Sequence, residues 1–488
     1  MNSSAPLARF VQLVALAGLA AGCSTLPHQR PTVPPLPVAW TEANTAGDKS
    51  ALINWWESFD DPLLDQLITE GLERNPNVRQ AAIRVRESRA QAHQTIGYFA
   101  PQVSGQARGQ YTRAIEGAPL VNSTTLTAES EQATGSYGVT MSWEIPLLSR
   151  LINASVGAKA NTRSVLADER GAKVSLVADV AQAYVDLRTA QNRRAALREA
   201  ADIGDQLAKI LDISSKAGFA SLADAADARR QSESAKAQLP DAEITVRRAE
   251  NQLAVLRAHA PGTEDPALVT KLDTPQEIPV ARISGAPAAP ADLIRLRPDI
   301  AGAEAQAMVA AAQVGIARDD ILPKLTLTGS ILASDNLIGA LLPLRSQQGS
   351  ATPLITIPLL DWGTHAAAIR AKKGAFQRSL IVYENTVNQA VSEASIALTQ
   401  LAQGEERLRQ TRAAEADAEV TAKGFRASYG AGIASLTDRL RADQQLLDAR
   451  LTRIQSESQS AGAAISVFRA FGGGPPPLPK AALTAAKS

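Results

Sequence analysis

Thr134-Gly135-Ser136-Tyr137-Gly138-Val139-Thr140-Met141-Ser142-Trp143-Glu144-Ile145 alternates residue by residue. Thr134, Ser136, Gly138, Thr140, Ser142 and Glu144 share one parity; Gly135, Tyr137, Val139, Met141, Trp143 and Ile145 share the other. Successive side chains of a strand point to opposite faces, so the segment reads as a strand with one polar and one apolar face. The stretch from Gln102 to Thr112 behaves alike: Gln102, Ser104, Gln106, Arg108 and Gln110 alternate with Val103, Gly105, Ala107, Gly109 and Tyr111. Lys324, Thr326, Thr328 and Ser330 alternate with Leu325, Leu327, Gly329 and Ile331, and a fourth segment near Ala351 to Pro358 is shorter and less regular. Runs of about ten residues with this alternation fit strands of a transmembrane barrel. The barrel reading makes Ser104, Gln106, Arg108, Thr140, Ser142, Thr326 and Thr328 lumen candidates, with Tyr111, Tyr137 and Trp143 as an interfacial aromatic girdle. A soluble antiparallel sheet with one wet face alternates identically. Four strands cannot close a barrel, since even small ones use about eight, so a barrel here requires several copies of the chain.

The strands belong to a duplicated pattern. Pro76 and Pro101 lie 25 residues apart, as do Pro298 and Pro323, and both pairs are offset by 222. Ile145-Pro146-Leu147-Leu148 matches Ile357-Pro358-Leu359-Leu360 at an offset of 212, and Ala217-Gly218-Phe219-Ala220-Ser221-Leu222-Ala223-Asp224 matches Ala431-Gly432-Ile433-Ala434-Ser435-Leu436-Thr437-Asp438 at 214. The first copy is ten residues longer between its strand segments. A shared order of landmarks, with the length change confined to one loop, indicates an internal repeat.

Between the strand pairs the hydrophobic period becomes helical. Leu239, Ala242, Val246, Ala249, Leu253 and Leu256 step by three and four, as do Val391, Ala394, Leu398, Leu401 and Leu408, and Ile433, Leu436, Leu440, Leu447 and Ile454 keep the same repeat. No proline interrupts the pattern from about Leu147 to Ile213 or from about Leu360 to Ser428. A helix of about 65 residues is roughly 100 Å long. Pro240 is expected to kink its own helix. Such stripes alone equally describe a fibrous coiled coil.

At the N-terminus, Arg9 precedes an apolar run from Phe10 to Leu19, then Ala20-Ala21-Gly22 and the chain's one cysteine, Cys23. The run is too short to span a bilayer and fits a secretory signal with a small-residue cleavage site. Cys23 directly after it reads as a lipoprotein acylation site, the alternative being an ordinary signal peptide with an incidental thiol. The usual Leu three residues before the cysteine is replaced by Ala20, with Leu19 one position further out. Ser24 rather than Asp after the cysteine points to the outer membrane, which favours the barrel over the soluble sheet.

Composition excludes other classes. Fifty Lys+Arg against 49 Asp+Glu leave a net charge of +1, no surplus for a phosphate backbone. One cysteine rules out an intrachain disulfide, and the four histidines (His28, His93, His259, His365) lack ligand spacing. No nucleophile–base pair or phosphate-binding glycine loop stands out, so no enzyme activity, cofactor or metal is expected.

Further motifs resemble those of the outer membrane factor (TolC-like) family, in particular its lipoprotein branch serving resistance–nodulation–division efflux pumps. Trp55-Trp56-Glu57-Ser58-Phe59-Asp60-Asp61-Pro62-Leu63-Leu64 is similar to the family's opening motif, and Arg297-Pro298-Asp299-Ile300-Ala301-Gly302-Ala303-Glu304 to its Arg-Pro-Asp-Ile signature. Tyr429-Gly430-Ala431-Gly432 followed by Leu436 and Asp438 resembles a helix-tip motif, and Phe471-Gly472-Gly473-Gly474 the terminal glycine run.

The resemblance implies a mainly α chain with a small β part: a duplicated protomer of very long α-helical hairpins plus four transmembrane β-strands. Three protomers would form a trimeric 12-stranded β-barrel continuous with an α-helical periplasmic tunnel. It further implies a passive, gated channel for drugs or other small toxic compounds, lipid-anchored in the outer membrane of a Gram-negative bacterium. Its partners would be a periplasmic membrane-fusion adaptor and an inner-membrane transporter of the resistance–nodulation–division type, with diacylglycerol and an N-acyl chain on Cys23. Gly218, Gly432 and Tyr429 are placed at helix tips in contact with the adaptor, and Asp224 and Asp438 at the periplasmic gate. The second tip has Ala434 where some members carry a latching arginine, and the first has Ser215 where the second has Tyr429. Alternatives are a channel for type I protein secretion and, from another class, a structural coiled-coil lipoprotein. Six segments are expected: a signal peptide (1–22), an acylated segment (23–60), a first repeat (61–258, hairpin about 101–145), a Pro/Ala-rich equatorial linker (259–290), a second repeat (291–471, hairpin about 323–358) and a disordered tail (472–488).

Overall fold

The computed structural model describes residues 31–40, 52–113, 120–121, 128–129, 131–145, 148–281, 288–336 and 346–475. The signal segment, Cys23 and residues 476–488 of the expected tail lie outside them. The chain divides into two compact units.

One unit contains Arg86–Ser164 and Ala303–Tyr383 and holds the sheet. Its strands are β1 (Gln102–Arg113), β4 (Glu131–Ile145), β5 (Lys324–Asn336) and β6 (Ser346–Thr356), in the order β1-β4-β5-β6 with every neighbour antiparallel. β2 (Leu120–Val121) and β3 (Ala128–Glu129) form a ribbon in the β1–β4 connection, the loop in which the first repeat is longer. The fourth strand differs from expectation. It begins at Ser346 and ends at Thr356, leaving Pro358 outside. Pro353 sits inside it, opposite Leu327, and β6 is an edge strand of the four-stranded sheet within one chain. At the helix-joined end, Asp319 accepts hydrogen bonds from Ser149 (2.8 Å) and Asn153 (3.0 Å), and Asp320 pairs with Arg150 (2.6 Å).

The other unit contains Val33–Val85, Val165–Gly302 and the residues from Glu384 on. Taking both units together, the helices in chain order among the described residues are α1 (Pro62–Arg74), α2 (Pro76–Gly97), α3 (Leu148–Lys216), α4 (Leu222–Leu256), α5 (Pro266–Asp273), α6 (Leu293–Leu296), α7 (Pro298–Asp319), α8 (Thr364–Gly430) and α9 (Leu436–Ala470), of which α2, α3, α7 and α8 run through both. α3 and α8 run 69 and 67 residues, as the proline-free stretches require. The apolar stripes are the buried faces: Val246 and Leu253 on α4, Ala394 and Leu398 on α8, Leu440, Leu447 and Ile454 on α9. Pro240 does not break α4, which runs on to Leu256.

The family-like motifs turn out to be packing devices. Trp55 stacks on Phe468 with ring centroids 4.7 Å apart, and Asp61 caps α1 while accepting from the Tyr184 hydroxyl at 2.6 Å. Arg297 donates to Asp299, Glu393 (2.7 Å) and the Ala470 carbonyl (2.9 Å). Gly472 has φ 70°, and a Cβ there would stand 2.7 Å from the Leu296 carbonyl oxygen. Residues 472–475 therefore belong to the packed body, and the expected disordered tail does not begin at 472. The expected linker also carries structure. Asp265 caps α5, and the buried Arg188 donates to the carbonyls of Leu272 in its last turn (3.0 Å) and of Thr274, its C-cap (2.8 Å).

Candidate functional site

Pairing register decides whether the polar residues of four strands share a face. Ser104 opposes Thr140, Thr140 opposes Ser330, and Ser330 opposes Ser350. The next row is Gln102–Ser142–Thr328–Thr352, followed by Glu144–Thr326–Leu354; on the other side lie Gln106–Gly138–Leu332–Gln348 and Arg108–Ser136–Ser334–Ser346. All seven expected lumen residues thus lie on one face. Hydroxyl pairs cross it, Ser104 with Thr140 at 3.0 Å and Ser330 with Ser350 at 2.8 Å. The opposite face carries Val103–Met141–Gly329–Ala351, Gly105–Val139–Ile331–Gly349 and Trp143–Leu327–Pro353. Tyr111, Tyr137 and Trp143 are on that apolar face, with Tyr111 and Trp143 towards opposite ends of it. Within one chain Val103 and Ile331 remain 64% and 71% exposed, an apolar area that water alone does not stabilise. Ser350, Thr352 and Gln348 extend the polar rows; Gln348 and Ser350 have no signal in the sequence, because Ser346-Gln347-Gln348-Gly349-Ser350 is polar at both parities.

The tips of the two long helical hairpins are built alike. Gly218 and Gly432 adopt left-handed φ of 79° and 74°. The Phe219 N–H donates back to the Ser214 carbonyl and Gly218 N–H to Ser215; Ile433 and Gly432 donate likewise to Ser428 and Tyr429. This is the Schellman arrangement, which caps the last carbonyls of a helix and needs a residue without a Cβ at the reversal. The returning helices start at Ser221 and Ser435, whose hydroxyls accept from the Asp224 and Asp438 N–H groups. Asp438 also accepts from the Ser435 hydroxyl (2.6 Å) and N–H, closing a capping box. Those two hydrogen bonds, the hydroxyl's first, hold its carboxyl below its ordinary range. Asp224, Asp438 and Tyr429 are all exposed, and the Arg439 guanidinium lies over the Tyr429 ring, 5.5 Å from its centroid.

An ion pair staples each tip, with its polarity reversed between repeats. Asp212 of α3 pairs with Arg229 of α4 at 3.0 Å; at the same 214-residue offset, Arg426 of α8 pairs with Asp443 of α9 at 2.7 Å. Arg439 adds a second cation to Asp443, whose side chain is only 5% exposed. The first tip has Ala225 at the position matching Arg439. Asp443→Ala is expected to weaken the second tip by about 2 kcal/mol, roughly 30-fold faster amide exchange, since hydrogen bonds to charged groups contribute about 1.5–3 kcal/mol. The triple variant Arg426→Asp/Arg439→Ala/Asp443→Arg restores the first tip's Asp–Arg pair in its own polarity, without the Lys216 that also pairs with Asp212 there, and should recover most of that protection.

The chain belongs to the outer membrane efflux protein family, whose model matches residues 67–258 and 289–473, one block per repeat. Nodulation protein T of Rhizobium leguminosarum bv. viciae is 28% identical over 463 residues, spanning 93% of this chain and 92% of that protein. Cation efflux system protein CusC of Escherichia coli (strain K12) is 27% identical over 459 residues, spanning 93% and 96%. The solved outer-membrane channel OprN shares the fold, with a TM-score of 0.79 at 24% identity over 93% of this chain and 99% of that one. The protein is an outer-membrane efflux channel of a Gram-negative bacterium, a transport protein rather than an enzyme, and channels of its family work with an adaptor and an inner-membrane pump.

Proposed function

We propose that three copies of the chain join edge to edge, β6 of one beside β1 of the next, to close a 12-stranded barrel from the four-stranded sheet. The polar rows line its lumen and the apolar rows face lipid. The observation that carries this is the sheet itself, which has two unpaired edges and whose central rows run Ser104–Thr140–Ser330–Ser350 on one face and Gly105–Val139–Ile331–Gly349 on the other. Cys23 bears the diacylglycerol and N-acyl chain. The pore is passive: a resistance–nodulation–division transporter and its adaptor deliver drugs or other small toxic compounds to it. Purified protein in a planar bilayer should show discrete conductance steps and a trimeric mass. A steady monomer without steps would remove the reading.

At the periplasmic end the tips carrying Gly218, Gly432 and Tyr429 meet the adaptor, and three Asp438 carboxylates, with Asp224 nearby, form the gate. Charged rings select ions by sign, and with a Debye length of about 8 Å only a narrow ring does so strongly. Asp438→Asn removes the charge while leaving an oxygen to accept the capping hydrogen bonds. It should weaken block by a trivalent cation added from the tip side at least about tenfold, a difference of roughly 1.4 kcal/mol. Unchanged block would return Asp438 to the capping role alone.

A further inference from the structure

We propose that Trp362 is a membrane-interface anchor, seated in the headgroup zone of the periplasmic leaflet. This rests on reading the apolar face of the sheet as lipid-facing. The register brings the helix-joined ends of all four strands to one side: Gln102 beside Ser142, Ile145 beside Leu325, and Leu325 beside Ile355. From that side the chain leaves β6 through Ile357-Pro358-Leu359-Leu360-Asp361-Trp362-Gly363 and enters α8. Leu359, Leu360 and Trp362 are 91%, 74% and 89% exposed, the kind of contiguous apolar group that marks a partner or a membrane.

Trp362 has φ 52°, a left-handed conformation rare for a bulky side chain, and Gly363 follows at φ 81°. Such outliers persist only where the surroundings enforce them, and they cluster at functional positions. Here the enforcement comes from Asp361, whose carboxylate accepts the Gly363 N–H (3.0 Å) and the His365 N–H (2.8 Å). The matching position of the first repeat is Arg150, tied to Asp320 at 2.6 Å, so the duplication does not explain a tryptophan here. Trp143, on the same face, has its indole N–H bound by the Phe99 carbonyl at 2.9 Å. An amphipathic indole beside an apolar face favours the water–lipid boundary, where its ring is dry and its N–H wet.

The test is tryptophan fluorescence of the full chain in phospholipid vesicles, with phosphatidylcholine brominated either near the headgroup or near the chain end. Trp40, Trp55 and Trp56 are buried, so lipid quenching reports Trp143 and Trp362. Trp362→Phe should remove about half or more of the quenching by shallow bromines, and Trp143→Phe should leave a shallow-quenched signal. If Trp143 is quenched but Trp362→Phe changes nothing, Trp362 lies against another copy or in water and the anchor is refuted. If bromines at neither depth quench either residue, the membrane reading of the sheet falls, and the anchor with it.

Discussion

Val139→Arg is expected to abolish trimer recovery from the outer membrane, whereas Thr140→Arg assembles and lowers conductance. Val139 is the middle of an apolar row, flanked by Gly105 and Ile331, while Thr140 sits between Ser104 and Ser330 on the polar face. A cationic side chain on the lipid face costs about 2–4 kcal/mol near mid-bilayer, and a trimer incurs it three times over. The same change at Val103 is milder: Val103 is the second residue of β1, near the sheet's end, where the cost falls to roughly 0–1 kcal/mol. Trimer yield measured by native electrophoresis of membrane extracts checks the pair. Equal yields from Val139→Arg and Thr140→Arg would mean the two faces see the same surroundings.

Cys23→Ser is expected to abolish incorporation of radiolabelled fatty acid completely, because the chain has no other cysteine to acylate. Each buried CH₂ contributes about 0.8 kcal/mol, so several chains make a lasting anchor. A barrel nevertheless holds itself in the bilayer, its backbone groups paired between strands. The non-acylated protein should therefore still conduct when reconstituted. Label persisting in Cys23→Ser would place the acylation elsewhere or show that the labelling is not acylation of this chain.

The strands are readable because polar and apolar residues alternate along them with a period of two, and β1 and β4 begin or end within a few residues of where that period does. β6 was only half readable. Its first residues are polar at both parities, so their face is set by pairing with β5, a long-range relation that no local pattern encodes. Helices of about 100 Å were legible from the missing prolines, and the tip glycines from their repetition. The tip ion pairs carry no repeat signal although Asp212/Arg426 and Arg229/Asp443 keep the tip's own offset, because their charge signs swap between the two copies. Arg188 has no signal in the sequence. It lies in an ordinary helical run, and its burial follows from carbonyls of a segment more than 80 residues away. Asp438 was legible as a residue at the tip, but the capping box shows a local use of its carboxylate that exists alongside the proposed gate.

The account's central claim is that the polar face of the sheet lines a water-filled pore, and single-cysteine scanning of β1 tests it most directly. Cys23 is the only native cysteine, so acylated as proposed it would leave no background thiol. Cysteines placed one at a time from Val103 to Tyr111 would be treated, in reconstituted vesicles, with a membrane-impermeant thiol reagent small enough to enter the pore. The account predicts rapid labelling at Ser104, Gln106, Arg108 and Gln110, each modification reducing conductance, and protection at Val103, Gly105, Ala107 and Gly109. Labelling without a period of two, or with the opposite parity, would contradict it.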